Sequence, residues 1–143
     1  MLIITYLFIV LLFICWSDLY RRSIPNSLVL AVLAGTLIAN AMTSTYSGWL
    51  SALVVLGITG VLVGVNVLGA GDSKLATALA LVLPISSLPL ALWLTAITGG
   101  IIACLYLLKY RLLQRKSTGK DPGLPYGIAI AVGFYFPILV HLL

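Results

Sequence analysis

Three carboxylates make up the whole acidic complement of this 143-residue sequence: Asp18, Asp72 and Asp121, with no glutamate. Two of them, Asp18 in "SDLYRRSIPN" and Asp72 in "GAGDSK", stand at the edges of long apolar runs. If these two meet, their charges repel, so one keeps a shared proton near neutral pH while the other acts as a base. Such a pair activates a water and protonates a leaving amine, which is the chemistry of peptide hydrolysis. Gly69 and Gly71 permit unusual backbone angles and let another backbone approach Asp72, so an extended peptide could lie there. Each aspartate also has a plainer reading. Asp72 can cap the helix it opens, its charge favoured by the helix N-terminus, and Asp18 can pair with Arg21 or Arg22.

The elements that must bring these residues together are membrane helices. A chain that is 62% hydrophobic and 8% charged, with a mean hydropathy of +1.22, cannot be a water-soluble domain of this size. A spanning helix takes roughly 17–25 mostly apolar residues. Apolar runs at 2–16, 27–42, 49–68 and 124–143 each predict one span. The uncharged stretch 75–108 would make a single helix of roughly 50 Å, too long for one crossing of a ~30 Å core, so it predicts two crossings that turn near "PISSLP". The first run has no basic residue before it and no small-residue cleavage site after it, and reads as a retained anchor. Pro25 stops any earlier helix, and Asn26 or Ser27 is expected to cap the next. The expected fold is all-α: a polytopic integral membrane protein of six transmembrane helices, one transmembrane domain over 1–143 without a separate soluble domain.

Six spans place segments 18–26, 69–74 and 109–123 on one side, and with them all eight Lys and Arg residues and all three aspartates. The positive-inside rule makes that side cytosolic and puts the N-terminus and C-terminus outside. An odd number of spans would spoil the segregation. The net charge of +5 is thereby a matter of orientation, and no nucleic-acid partner is called for. Asp18 then closes the first span and Asp72 opens the fourth, both at the cytosolic boundary.

Cys15 and Cys104 lie apart in apolar runs, without metal-ligand or redox spacing, so neither a metal nor a cofactor is expected. Asp121 sits beside Lys120 among helix breakers and reads as a solvated charge; His141, near the opposite face, reads as interfacial. Gly57, Gly60 and Gly64 share one face of the third span, suited to close internal packing or to admitting a substrate helix. Lys74 can lower the pKa of a neighbouring carboxylate, tether lipid phosphate or anchor the topology. In "PYG", Pro125 suits a first helical turn and Gly127 permits close approach.

Together, "SDLYRRSIPN", "GAGDSKLATALAL" and "GLPYGIAIAVG" occur in an order, and on one membrane face, that resembles the prepilin peptidases, membrane aspartic proteases of the GxGD type. The resemblance spans nearly the whole chain. It implies that Asp18 and Asp72 are catalytic, and that Gly69, Gly71, Lys74 (of the family's "GDxK" pattern), Pro125, Tyr126 and Gly127 shape the site or bind substrate. It further implies removal of the short basic leader of type IV prepilins or pseudopilins, ahead of their hydrophobic N-terminal helix, at the cytosolic face of a bacterial or archaeal cytoplasmic membrane. Partners so implied are the prepilin, membrane lipid and pilus assembly machinery. The small size is most similar to the shorter branch that serves Flp-type (tight adherence) pili. Larger members carry a further cytosolic segment, often with paired CxxC motifs, between the first two spans and also methylate the new N-terminus. Only "SDLYRRSIPN" lies there in this chain, so cleavage without N-methylation is expected.

Two other classes compete. A small proton- or ion-coupled transporter would hold its ionisable groups near the bilayer midplane and often show repeated halves; here the carboxylates sit at the boundary and no repeat is visible. A non-catalytic scaffold of a secretion or pilus system would leave the paired aspartates without a role.

Overall fold

The computed structural model describes residues 1–44, 46–112 and 124–143. These form helices α1 (Leu2–Arg21), α2 (Asn26–Thr43), α3 (Ser47–Gly64), α4 (Ala70–Ala80), α5 (Leu88–Leu112) and α6 (Tyr126–Leu142), with no strand among the described residues. α1, α2, α3 and the stretch Ile85–Leu108 are each long and apolar enough to cross a membrane, and α6 is a shorter apolar helix. The chain is a multi-pass membrane protein.

Several boundaries depart from expectation. α1 continues beyond 16 to Arg21, so Asp18 lies inside its last turn. It stops where Arg22 takes a left-handed conformation (φ 54°) and donates its N–H to the Asp18 carbonyl at 3.1 Å. The N-cap of α2 is Pro25, without a side-chain hydrogen bond, so neither Asn26 nor Ser27 caps it. α3 ends at Gly64 rather than 68 because Asn66 turns left-handed (φ 58°) and its N–H reaches the Val63 carbonyl at 3.0 Å, while the Val67 N–H reaches that of Leu62 at 2.9 Å. This pair of bonds is a Schellman stop, and asparagine tolerates the left-handed position better than most residues.

The largest departure is α4. Its 11 residues span about 16 Å at ~1.5 Å each, well short of a ~30 Å core. It has little lipid to face: Leu75, Leu79 and Leu83 are fully buried, and the helix packs among α2, α3 and α6. Pro84 ends the run, and a 3-10 turn over Ile85–Ser87 leads into α5 at the expected "PISSLP". Gly48, at the start of α3, packs against the Leu81 carbonyl, so the chain leaves α4 at the end where α3 begins. α1, α3 and α5 therefore finish, and α2, α4 and α6 begin, at one end of the bundle. At the other end Met1 and Leu142 line a common crevice with Met42.

Lipid tails are as apolar as leucine, so such helices associate through close packing and hydrogen bonds rather than through the hydrophobic effect. Phe13, Trp16, Leu53, Trp93 and Leu105 are accordingly exposed. Buried hydroxyls find partners within their own helix, Thr36 on the Leu33 carbonyl (3.0 Å) and Ser51 on that of Ser47 (3.1 Å). Gly57, Gly60 and Gly64 do not pack internally as expected: a β-carbon at any of them would meet nothing within 4 Å among the described residues.

Candidate active site

Asp18 is only 6% exposed. The start of α6 rests on it: a β-carbon on Gly127 would stand 2.8 Å from Asp18 Oδ2 and 3.0 Å from Ile24 Cδ1. The N–H groups of Gly127 and Ile128 face the carboxylate. They are among the first donors of α6, which no carbonyl within the helix can reach. Oδ2 itself is buried without closing a hydrogen bond. The charge of Arg22 also acts on Asp18, and its guanidinium carbon lies 5.7 Å from the centre of the Tyr106 ring of α5.

Asp72 is half-buried, the third residue of α4 after its N-cap, Gly69. Its carboxylate turns back to the Gly69 N–H, one half of a capping box. That fold-back explains the first glycine of "GAGD", since a β-carbon at Gly69 would lie 2.8 Å from Asp72 Oδ2. Gly71 is less constrained: a β-carbon there would touch Ile24 Cβ at 3.5 Å, an ordinary contact. The cap role of Asp72 is thus realised, yet one N–H uses only part of the acceptor capacity of a carboxylate.

The two aspartates lie close enough for the charge of Asp18 to act on Asp72. Ile24 touches the positions of both Gly71 and Gly127, and Lys74 Nζ reaches Asn26 Oδ1 at 3.5 Å, tying α4 to α2. All three motifs therefore converge at one end of the bundle. Pro125 is buried as the N-cap of α6 rather than in its first turn. Tyr126 borders an apolar groove of about 410 Å³ between α3 and α5, whose wall runs from Ala103 past Gly99 and Thr95 towards the bundle interior. His141 lies at the far end of α6, about 21 Å from Gly127 at ~1.5 Å per residue. Asp121 lies outside the described residues. Among the described residues no group of three or more His, Cys, Asp or Glu could hold a metal ion.

One contact escaped the sequence reading. Thr59 Oγ1 and Ser73 Oγ lie 2.8 Å apart in a buried bond between α3 and α4, directly beside Asp72. It sets Ser73 level with Thr59, about 7–8 Å inside the end of α3 at ~1.5 Å per residue. A lone hydroxyl in the apolar stretch 52–64 of α3 is the only sequence signal for it.

The profile of the type IV leader peptidase family matches residues 5–104, a stretch that holds Asp18, Ile24, Thr59 and Asp72 and stops short of "PYG". No curated protein and no solved structure matches the chain. Matched over most of its length, this membrane protein belongs to the type IV leader peptidase family.

Proposed function

We propose that the chain is an aspartic endopeptidase in which Asp18 and Asp72 share one proton and cut the leader from type IV prepilins or pseudopilins, of Flp type, without methylating the product. The observation that carries this reading is the meeting of a buried and a half-buried carboxylate, close enough for the charge of one to act on the other, in a chain of this family. One aspartate accepts a proton from water as the water oxygen attacks the scissile carbonyl, while the other gives its proton to the carbonyl oxygen. When the resulting diol collapses, the first carboxyl protonates the departing amine and the second recovers the hydroxyl proton. Gly69 and Gly127 make room for the carboxylates, Gly71 leaves space for the peptide, and Pro125, Tyr126 and Lys74 set the adjoining helix starts.

In this reading the end of the bundle that holds the aspartates faces the cytosol at the cytoplasmic membrane, with six crossings, a single domain and both termini outside, and the one-sided charges of the sequence support it. The short α4 serves as the fourth crossing, since the chain reaches the opposite end of the bundle through 81–87. The groove beside Tyr126 starts next to Gly127 and leads into the apolar layer, a suitable seat for the hydrophobic helix that follows the cut bond. Partners are the prepilin, surrounding lipid and the pilus assembly machinery.

The test is to incubate purified protein, with S-adenosylmethionine present, with a candidate prepilin and to read the product by mass spectrometry. Leader removal without an added methyl group is expected, and Asp18→Asn or Asp72→Asn should each abolish it in protein that inserts at normal levels. Asp121→Asn should retain it. An intact prepilin would favour a transporter or scaffold, and a well-inserted Asp72→Asn protein that still cleaves at the parental rate would sink the aspartic mechanism.

A further inference from the structure

Resting on the reading of Asp18 and Asp72 as a catalytic pair, we infer that Ile24 is a positioning residue for it: the isoleucine side chain is the spacer between the start of α4, which carries Asp72, and the start of α6, which covers Asp18, and it thereby sets the separation of the two carboxyls.

The link between α1 and α2 is held on both sides of Ile24. Before it, the Arg22 N–H closes α1 on the Asp18 carbonyl at 3.1 Å, and Ser17 Oγ donates to the Ser23 carbonyl at 3.0 Å. After it, Pro25 confines the preceding residue to extended backbone angles, and the Pro25 carbonyl accepts the N–H groups of Leu28 at 3.1 Å and Val29 at 3.3 Å. Ile24 is therefore mounted on a fixed corner, built on the same last turn of α1 that carries Asp18.

From this corner the side chain reaches two helix starts. Its Cβ lies 3.5 Å from where a β-carbon of Gly71 would stand, beside Asp72, and its Cδ1 lies 3.0 Å from the corresponding position of Gly127. Asp18 Oδ2 is 2.8 Å from that same Gly127 position, so the tip of the isoleucine and the carboxylate meet α6 side by side. The side chain is partly buried and packs against the core. A β-branched residue is stiff at χ1, so its reach from Gly71 to Gly127 has a set length. Close-packed interiors transmit small displacements, and a shorter side chain at 24 lets the start of α6 move relative to that of α4.

Truncation separates the two contacts. Ile24→Ala keeps the Cβ against Gly71 and removes the arm towards Gly127, Ile24→Val removes Cδ1 alone, and Ile24→Leu restores a δ-carbon. A misplacement of about 1 Å costs about 100-fold in rate, so in full-length protein cutting prepilin Ile24→Ala should lower kcat about 100-fold and Ile24→Val about 10-fold, with KM held within about twofold and Ile24→Leu within about threefold of the parental kcat. Residue 24 acting only as core filling would instead lower the yield of folded protein and leave its kcat and KM unchanged. A second measurement needs no substrate: nitroxides on Ala70→Cys and Leu124→Cys, in a chain with Cys15→Ser and Cys104→Ser, report the separation of the two helix starts by EPR. Its distribution should shift or broaden in Ile24→Ala and Ile24→Val and recover in Ile24→Leu. Distances unmoved in both truncations, a parental kcat in both, or a loss carried by KM overturns the inference, and Ile24→Val decides it alone where Ile24→Ala fails to insert. A parental protein that leaves prepilin intact while the distances respond to residue 24 removes the protease reading and retains the spacer, whereas parental cleavage with unmoved distances removes the spacer alone.

Discussion

Replacing Thr59 by valine takes one hydroxyl out of the contact that seats α4 on α3, and the placement of the hydrogens in that contact decides the cost. Thr59 Oγ1 lies 2.7 Å from the Val55 carbonyl and 2.8 Å from Ser73 Oγ. A hydroxyl has one hydrogen and a carbonyl none, so Thr59 donates to Val55 and Ser73 must donate to Thr59. Thr59→Val therefore leaves Ser73 a buried donor without its acceptor, while Ser73→Ala leaves Thr59 satisfied. An orphaned buried donor costs about 1–3 kcal/mol, but interhelical bonds in membranes average about 0.6 and reach about 1.7 kcal/mol because unfolded helices also find partners. Thr59→Val should then destabilise by about 1–2 kcal/mol and Ser73→Ala by about 0.5 kcal/mol. The double variant, with neither polar group left, should be more stable than Thr59→Val alone. Because Ser73 adjoins Asp72, Thr59→Val should also lower kcat more than it raises KM. Unfolding by SDS titration in mixed micelles measures the stabilities. A Ser73→Ala loss as large as that of Thr59→Val, or a double variant that simply adds the two, would refute the assigned direction of the bond.

The two glycines beside Asp72 should behave differently. Gly69→Ala forces the carboxylate off its N–H, so helix α4 should lose about 0.5–2 kcal/mol and cleavage should fall; unchanged activity would remove the fold-back from the mechanism. Gly71→Ala should keep its stability within about 0.5 kcal/mol, so a rise in KM measured on it would report the peptide lying over that position, and an unaltered KM would place the peptide elsewhere. Ala103→Phe, which fills the groove near Tyr126, should raise KM with little change in kcat, and equal KM values would show that the substrate helix does not seat there. A reporter fused after Leu143 should lie outside the cytoplasm and one inserted between Arg115 and Gly119 inside it; a cytosolic C-terminus would contradict the six-span topology.

Hydropathy is a property of a linear sequence, and it already indicated the apolar helices and the turn near Pro84. The motifs around Asp18, Asp72 and Gly127 were legible as a set in the same way, because their order and spacing survive without coordinates. Other features depended on which surfaces touch. An apolar run reads alike whether lipid or protein surrounds it, so the shortness of α4 emerged only from its burial among α2, α3 and α6. Asn26 has the side chain of a helix cap, but the approach of Lys74 from α4 decided its partner. The glycine face of α3 has the spacing of a packing surface, yet no described helix comes to it. The close approach of Gly127 to the Asp18 carboxylate joins residues more than a hundred positions apart, and the Thr59–Ser73 bond joins two helices. Both arise from where the helices cross, and that is set by side-chain packing between helices, for which the linear order of residues carries no direct signal.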